Sequence, residues 1–400
     1  MVKEYKTEEE GEILLEAKNV YMRYPLTGEL ALRGASLKVI AGRIRGLIGK
    51  NEAGKSSLAR AFCGKYPAER GKVYVRGQSI YTQKTPGWVW GMYVVTFAAL
   101  VSTVMGISEA VQQSQYSEKL KEIFNGSYKN TGNTMLLAVT LAMLQTLTEV
   151  VGMRILPVLL LFAACAIEIG YRSFRHFERL KFARERIAFI TSEDSPGTKF
   201  PEKMSIRNVV CQHMPKTMSG EERRQRATCL LKSAGLQLYD ANGKAWGSAE
   251  EYVNEDVKME RCSGGQKHLV YVMSELAKDP KIIIADEILV GLDVPTRARV
   301  IVMLQHMVSN RGAGVLYIST DITPMDFVTK EIAFMEDGKI IELSDSTHLI
   351  HNPSQKQTKA YMKAALDPRM MMLRHAASLR EEVAKAIPKI KDVIRQAFSG

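Results

Sequence analysis

Cysteine is scarce in this 400-residue chain: Cys63, Cys165, Cys211, Cys229 and Cys262 are its five, with no paired spacing. That pattern argues against a disulfide framework and a thiolate metal site, and for a reducing compartment. Acidic side chains are in deficit, 43 against 55 Lys and Arg, for a net charge of +12. Such an excess suits an anionic membrane surface or an organellar interior. No nucleic-acid-binding motif accompanies it, so anionic lipid and not nucleic acid is the expected partner. Internal repeats and low-complexity tracts are lacking as well. The N-terminus, with Glu4, Glu8, Glu9, Glu10 and Glu12, is too acidic for a signal or transit peptide, so any organellar presequence is expected to be absent here. Charge itself vanishes from Thr85 to Ser108. Within that stretch Trp88 to Ile107 is twenty residues, enough at 1.5 Å per residue to cross a hydrocarbon core of about 30 Å. Trp88, Trp90 and Tyr93 gather at one end, as interfacial aromatics do. The run predicts a transmembrane helix over 88–107.

What the chain does contain begins with Gly49-Lys-Asn-Glu-Ala-Gly-Lys-Ser-Ser57, a G-x-x-x-x-G-K-S phosphate loop. Gly49 and Gly54 let backbone N–H groups turn inward around phosphates, Lys55 reaches the β and γ oxygens, and the Ser56 hydroxyl can ligate magnesium. The apolar run Arg43 to Ile48 predicts a strand before the loop, and Ser57 to Cys63 a helix after it. Far downstream, Lys281-Ile-Ile-Ile-Ala-Asp-Glu287 is an apolar run ending in two carboxylates, the pattern of a buried parallel strand that delivers acids to its C-terminal tip. Asp286 is placed to hold magnesium, and Glu287 to orient or deprotonate an attacking water. Cys262-Ser-Gly-Gly-Gln266 stands about twenty residues earlier and Gly291-Leu-Asp293 just after.

In this order these motifs resemble the ATP-binding cassette (ABC) ATPases, over about 11–84 and 178–367. The resemblance implies an α/β fold: a P-loop NTPase core sheet with a helical subdomain, working as a dimer that sandwiches two ATP molecules with Mg2+. It implies that Asn51 and Ser57 join the phosphate-binding set, that Ser263, Gly264, Gly265, Gln266 and Asp293 serve nucleotide in the dimer, and that Tyr24 stacks on adenine. The alternative for Tyr24 is an ordinary strand tyrosine. His351-Asn-Pro353 followed by Tyr361 to Leu366 is similar to the ending of peptide-importer ATPases. Three departures stand out. Thr320 occupies the family's histidine position at the γ-phosphate, where a hydroxyl donates one bond but carries no charge. Thr191-Ser192-Glu193-Asp194 replaces the expected glutamine, leaving Glu193 as a candidate magnesium contact. Ile288 replaces the proline after Glu287, a change of local packing.

The expected organisation is therefore 11–84 and 178–350 as two parts of one nucleotide-binding domain, 85–177 as an inserted membrane hairpin, and 351–400 as an extension. Both parts of the domain lie on one side of the membrane, so crossings between them are even in number. The simplest solution is two, the second within 137–171, where Glu149, Arg154 and Glu168 interrupt an apolar run that includes Pro157. Arg172, Arg175, Arg179, Lys181, Arg184 and Arg186 then mark the cytoplasmic side, or the matrix or stromal side in an organelle. Glu149 and Arg154 read equally as functional intramembrane charges and as interfacial snorkelling groups. At the C-terminus Ala376, Leu379, Val383, Ile387, Ile390 and Ile394 line one face of a basic helix that Pro388 would bend, a face that suits protein better than a membrane surface. Two functions remain: an ATPase that drives partner membrane subunits, Glu287, Lys55 and Thr320 its catalytic set, or a catalytically degenerate subunit of a membrane assembly that keeps ATP as a stabilising ligand.

Overall fold

The computed structural model describes residues 11–80, 186–192, 202–215, 217–238, 248–254, 256–366 and 372–398, together with Gly170, Phe174, Phe177 and Lys181. The chain divides into two units, 1–82 with 179–400, and 83–178. The expected span 88–107 falls outside the described residues, as does all of 137–171 except Gly170 and so nearly all of the second. Among the described residues no helix is long and apolar enough to cross a membrane.

Two sheets frame the first unit. Strands β1 (Ile13–Arg23) and β2 (Leu30–Ile40) pair with β4 (Arg70–Val75) and β5 (Gln78–Ser79) in an antiparallel sheet of order β2-β1-β4-β5. The second sheet collects β3 (Ile44–Ile48), β6 (Ile187–Thr191), β7 (Ile282–Asp286), β8 (Gly314–Ile318), β9 (Glu331–Glu336) and β10 (Lys339–Asp345) in the order β10-β9-β3-β8-β7-β6. All its pairings are parallel except that of β10 with β9. A parallel sheet buried on both faces needs apolar residues at successive positions. In β7 and β8 that is visible residue by residue: Ile283, Ala285, Val315 and Tyr317 enter one apolar layer, while Ile282, Ile284, Leu316 and Ile318 enter the other. Burying each of the Ile, Leu and Val side chains among them contributes about 1.5–3 kcal/mol. Arg45, only 3% exposed within β3, is tolerated because Glu331 of β9 and the Lys38 carbonyl take its guanidinium.

The first of those layers is filled by helices. They are α2 (Ile206–Cys211), α3 (Gly220–Ala234), α4 (Ala249–Asn254), α5 (Gly264–Leu276) and α6 (Val294–Arg311). Serines start α2, α3 and α5, and at α3 and α5 the cap is reciprocal. Ser219 with Glu222, and Ser263 with Gln266, exchange side-chain to backbone hydrogen bonds. Short helix α7 (Met325–Val328) precedes β9, and α8 (Ser346–His351), α9 (Lys356–Ala365) and α10 (Met372–Phe398) follow β10.

Helix α10 lays its apolar face on α6 and α3. Leu379, Val383, Ala386, Ile390 and Ile394 are buried. Ile387, expected on that face, is instead 44% exposed. At about 3.6 residues per turn Ala386 lies nearer the centre of the stripe, and Ile387 falls at its edge. The helix continues through Pro388 as one element. Ala384, whose carbonyl loses its intrahelical partner there, is exposed, so water can satisfy it. At the far end the Phe398 ring lies 4.6 Å from the Arg226 guanidinium of α3 and 5.7 Å from that of Arg311 in α6. Arg311 also donates to the Phe398 carbonyl at 3.0 Å.

Candidate functional site

The parallel strands deliver their C-terminal ends to one edge, the usual place for a ligand in such a sheet. Register pairs Leu47 with Ile318, Ile318 with Asp286, and Asp286 with Thr191. The phosphate loop therefore leaves the sheet one strand from β8 and two from β7. It runs from Gly49 into α1 (Lys55–Phe62), with Gly54 as N-cap at φ 100°. A Cβ on Gly49 would stand 2.2 Å from the Met335 carbonyl, and one on Gly54 2.8 Å from that of Ala31. The loop is thus packed backbone to backbone, which glycine alone permits. The same seam continues at Gly338, whose N–H donates to Ala53 O at 2.9 Å and whose carbonyl accepts from Arg33 N at 2.9 Å.

Lys55 is buried, and its ammonium donates to Gly49 O at 2.9 Å and Lys50 O at 2.7 Å. Burial lowers the Lys55 pKa, while the nearby Glu287 and Asp286 carboxylates act in the opposite direction. Ser56 is half-buried at the second position of α1 and Asn51 is exposed in the turn. Ser57 is buried and its hydroxyl meets the Tyr24 hydroxyl at 2.6 Å. Tyr24 lies just past β1, where Arg60 donates to its hydroxyl at 3.3 Å and Tyr66 packs edge-on at 5.3 Å. The structure thus brings these two expected nucleotide contacts to each other.

Opposite the loop, Asp286 is 3% exposed at the tip of β7. Glu287 follows it in the left-handed region, at φ 53°, a conformation that costs about 1–3 kcal/mol for a residue with a Cβ. Three contacts with the exit of β8 hold it there. Its N–H donates to Ile318 O at 3.0 Å. Its carboxylate accepts the Ser319 hydroxyl at 3.1 Å and the Thr320 N–H at 2.7 Å. Thr320 is exposed and serves the site through its peptide. Ile288 is buried in the helical layer, as a packing substitution would be, and its carbonyl accepts from the His268 ring at 2.9 Å. That contact places a proton on Nε2, and burial lowers the His268 pKa. Thr191 ends β6 beside Asp286, and Ser192 N donates to Asp286 O at 3.1 Å. Glu193 lies outside the described residues.

Ser263 and Asp293 are both helix N-caps, accepting from Gln266 N at 3.3 Å and Thr296 N at 2.9 Å. Gln266 is occupied too, donating from its side chain to Gln237 O at 2.6 Å. Ser263, Gly264 and Asp293 are exposed, and a Cβ on Gly265 would press on Gly291 O at 3.0 Å. These residues lie together at one end of α5 and α6, with their side chains committed to capping. The hard oxygens of Ser56 and Asp286 suit magnesium, which takes a few protein oxygens and completes its shell with water and phosphate.

Residues 32–150 match the family described as ABC transporter. That stretch includes the phosphate loop, whereas the serine–glycine signature and the acidic strand lie beyond it. A solved structure from Clostridium perfringens, cbiO1 of the ABC transporter complex cbiONQ, superposes with a TM-score of 0.51 at 16% identity. The superposition covers 91% of this chain and 99% of that one. The fold is the ABC-type P-loop NTPase α/β fold. Among curated proteins the chain is 28% identical over 172 residues to the oligopeptide transport ATP-binding protein OppF of Bacillus subtilis. That match covers 42% of this chain and 52% of the relative. It is 25% identical over 199 residues to the methionine import ATP-binding protein MetN of Streptococcus mutans, covering 50% and 51%. The chain thus spans about half the length of these two relatives.

Three residues near the site had no role assigned from sequence: Ser319, His268 and Tyr361. Ser319 could have been found beside Thr320, since a hydroxyl at a strand exit is a natural partner for a carboxylate at the next strand's tip. His268 and Tyr361 carry no local signal, because their partners are far away in the chain.

Proposed function

We propose that this protein is an ABC-type ATP-binding subunit that hydrolyses ATP and couples the cycle to partner membrane subunits. The observation that carries the reading is the three-point hold on Glu287 at the edge that also carries Lys55 and Asp286. A carboxylate oriented by two donors and set in a strained backbone suits a group that orients water and accepts its proton. Lys55 releases Gly49 and Lys50 to take the terminal phosphates, and Ser56 and Asp286 hold the magnesium that neutralises their charge. Tyr24 stacks on the base. A second cassette, a copy of this chain or a relative, brings its own Ser263–Gln266 segment against the nucleotide, and the exposed caps at α5 and α6 are the matching face.

Residues 88–107 and a second span within 137–171 anchor the subunit beside its partners, with the nucleotide-binding domain on the positively charged side. Length, absence of charge and terminal aromatics support the span at 88–107, and the need for an even number of crossings supports the second. A variant lacking 85–175 that stays firmly membrane-bound would contradict it.

Thr320 supports a second reading, a degenerate cassette that keeps ATP for stability, because its exposed side chain offers no charge to the γ-phosphate. Turnover of the protein purified with its native partners separates the two. In the ATPase reading Glu287→Gln lowers kcat by about a hundredfold or more while nucleotide binding persists. Equal, near-zero turnover in both proteins would refute it.

A further inference from the structure

The Tyr361 phenol is explained neither by the phosphate loop nor by the acidic strand. It belongs to α9, in the segment after both sheets, yet its hydroxyl lies 3.4 Å from Thr320 O and 3.5 Å from Gly49 O. Its ring packs against Phe334 of β9, 5.1 Å between centroids. Carbonyls only accept, so the hydroxyl donates, shared between the two. Each carbonyl belongs to a residue already tied to a charged group of the site. Gly49 O also accepts from Lys55 at 2.9 Å, and the Thr320 N–H donates to Glu287 at 2.7 Å. One phenol therefore joins the backbone that seats the lysine to the backbone that seats the glutamate. Helix α9 is fixed in turn by Glu342 of β10, which accepts the backbone N–H of Ser354 at 2.6 Å and of Gln355 at 3.1 Å.

We propose that Tyr361 is a positioning residue that holds the Thr320 peptide against the phosphate loop, keeping Glu287 aligned with nucleotide held at Lys55. For its effect on turnover the proposal rests on the ATPase reading above. The shared contact, at 3.5 and 3.4 Å, is at the long end for a hydrogen bond, as contacts in an active site without its ligand often are. The phenol keeps its proton well into the alkaline range, since burial and the charges of Glu287 and Asp321 raise its pKa. It thus remains a donor wherever the site operates.

The test uses full-length Tyr361→Phe, which keeps the ring on Phe334 and removes only the hydroxyl, with Tyr361→Leu as a second variant. Amide hydrogen exchange at 319–323 and at 49–50, without nucleotide, reads the tether directly, and steady-state ATP turnover reads its consequence. For Tyr361→Phe we expect exchange at 319–323 to quicken about five- to tenfold at an unchanged melting temperature, the size expected for one hydrogen bond lost. We also expect kcat to fall about tenfold while KM and ATP affinity stay within about twofold. Tyr361→Leu shows the same losses and melts lower. Unchanged exchange in the phenylalanine variant, or kcat and KM moving together with the melting temperature, would overturn the proposal. If the wild-type protein turns over no ATP, the ATPase reading fails by itself. The exchange difference then still decides Tyr361: quickened exchange upholds the tether and unchanged exchange removes it.

Discussion

Lys55 and Glu287 act on one another electrostatically, but they are held in opposite ways. Lys55 donates to carbonyls five and six residues back along its own chain. Glu287 depends on Ile318, Ser319 and Thr320, which reach it only because β7 and β8 are neighbours in the sheet. The lysine side is a local structure dictated by nine consecutive residues, and it retains every member of its motif. The glutamate side is assembled from distant segments, and it is there that the sequence departs from the ABC ATPase pattern it resembles, at Thr320, Ile288 and the segment after β6. In the proposed ATPase the grip on nucleotide would therefore tolerate change elsewhere in the chain, whereas alignment for hydrolysis would inherit every shift of the sheet.

The contrast can be broken most sharply at its local end. Lys55→Ala removes a charge-assisted donor to phosphate, and ATP affinity should weaken by about tenfold to a hundredfold, as equilibrium binding of a fluorescent nucleotide would record. On the assembled side, Thr320→His restores a chargeable donor beside Glu287 and should raise kcat by about tenfold without tightening binding. Single preorganised donors are worth at least that much, and unchanged turnover would mean that the site does not present residue 320 to the terminal phosphate. Ser319→Ala deletes one of the two carboxylate tethers and should lower kcat about fivefold, in line with one hydrogen bond. Binding unaffected in the same titration would keep the effect on the glutamate side. The smallest effect is that of pH. Burial lowers the Lys55 pKa, so its ammonium loses its proton at a lower pH than an exposed lysine. ATP affinity should fall as pH rises through that lowered value, by at most about tenfold per pH unit. Nucleotide binding measured from pH 7 to 10 checks the direction. An affinity that rises with pH would contradict it.

The phosphate loop and the buried strand ending at Asp286 were legible because their chemistry is written in consecutive residues, whereas the capping role of Ser263 and Gln266 emerged only with the structure. The unbroken apolar run before Asp286 was enough to mark β7 as a buried parallel strand, because a sheet covered on both faces needs apolar residues at successive positions. Tyr361 was visible in the sequence only as part of a family-like tail. Its partner Gly49 stands 312 residues away, and no spacing rule spans that distance. His268 was hidden in the same way, its ring reaching a carbonyl that exists only after the turn at Glu287 has formed. In α10 the apolar stripe was right in kind. The error at Ile387 arose because hydrophobicity was followed where angular position decided, and small Ala386 took the buried place.

The glycine seam at Gly49, Gly54 and Gly338 also makes the phosphate loop a joint between the two sheets. Ala31 of β2 touches it through its carbonyl, and Arg33 N and Ala53 O are both bonded to Gly338. Side chains cannot cushion a backbone-to-backbone contact, so motion on one side passes to the other without slack. A nucleotide that stiffens the loop would thereby quiet the antiparallel sheet as well, and amide exchange at Arg33 would report ligand arrival from a strand that never meets a phosphate.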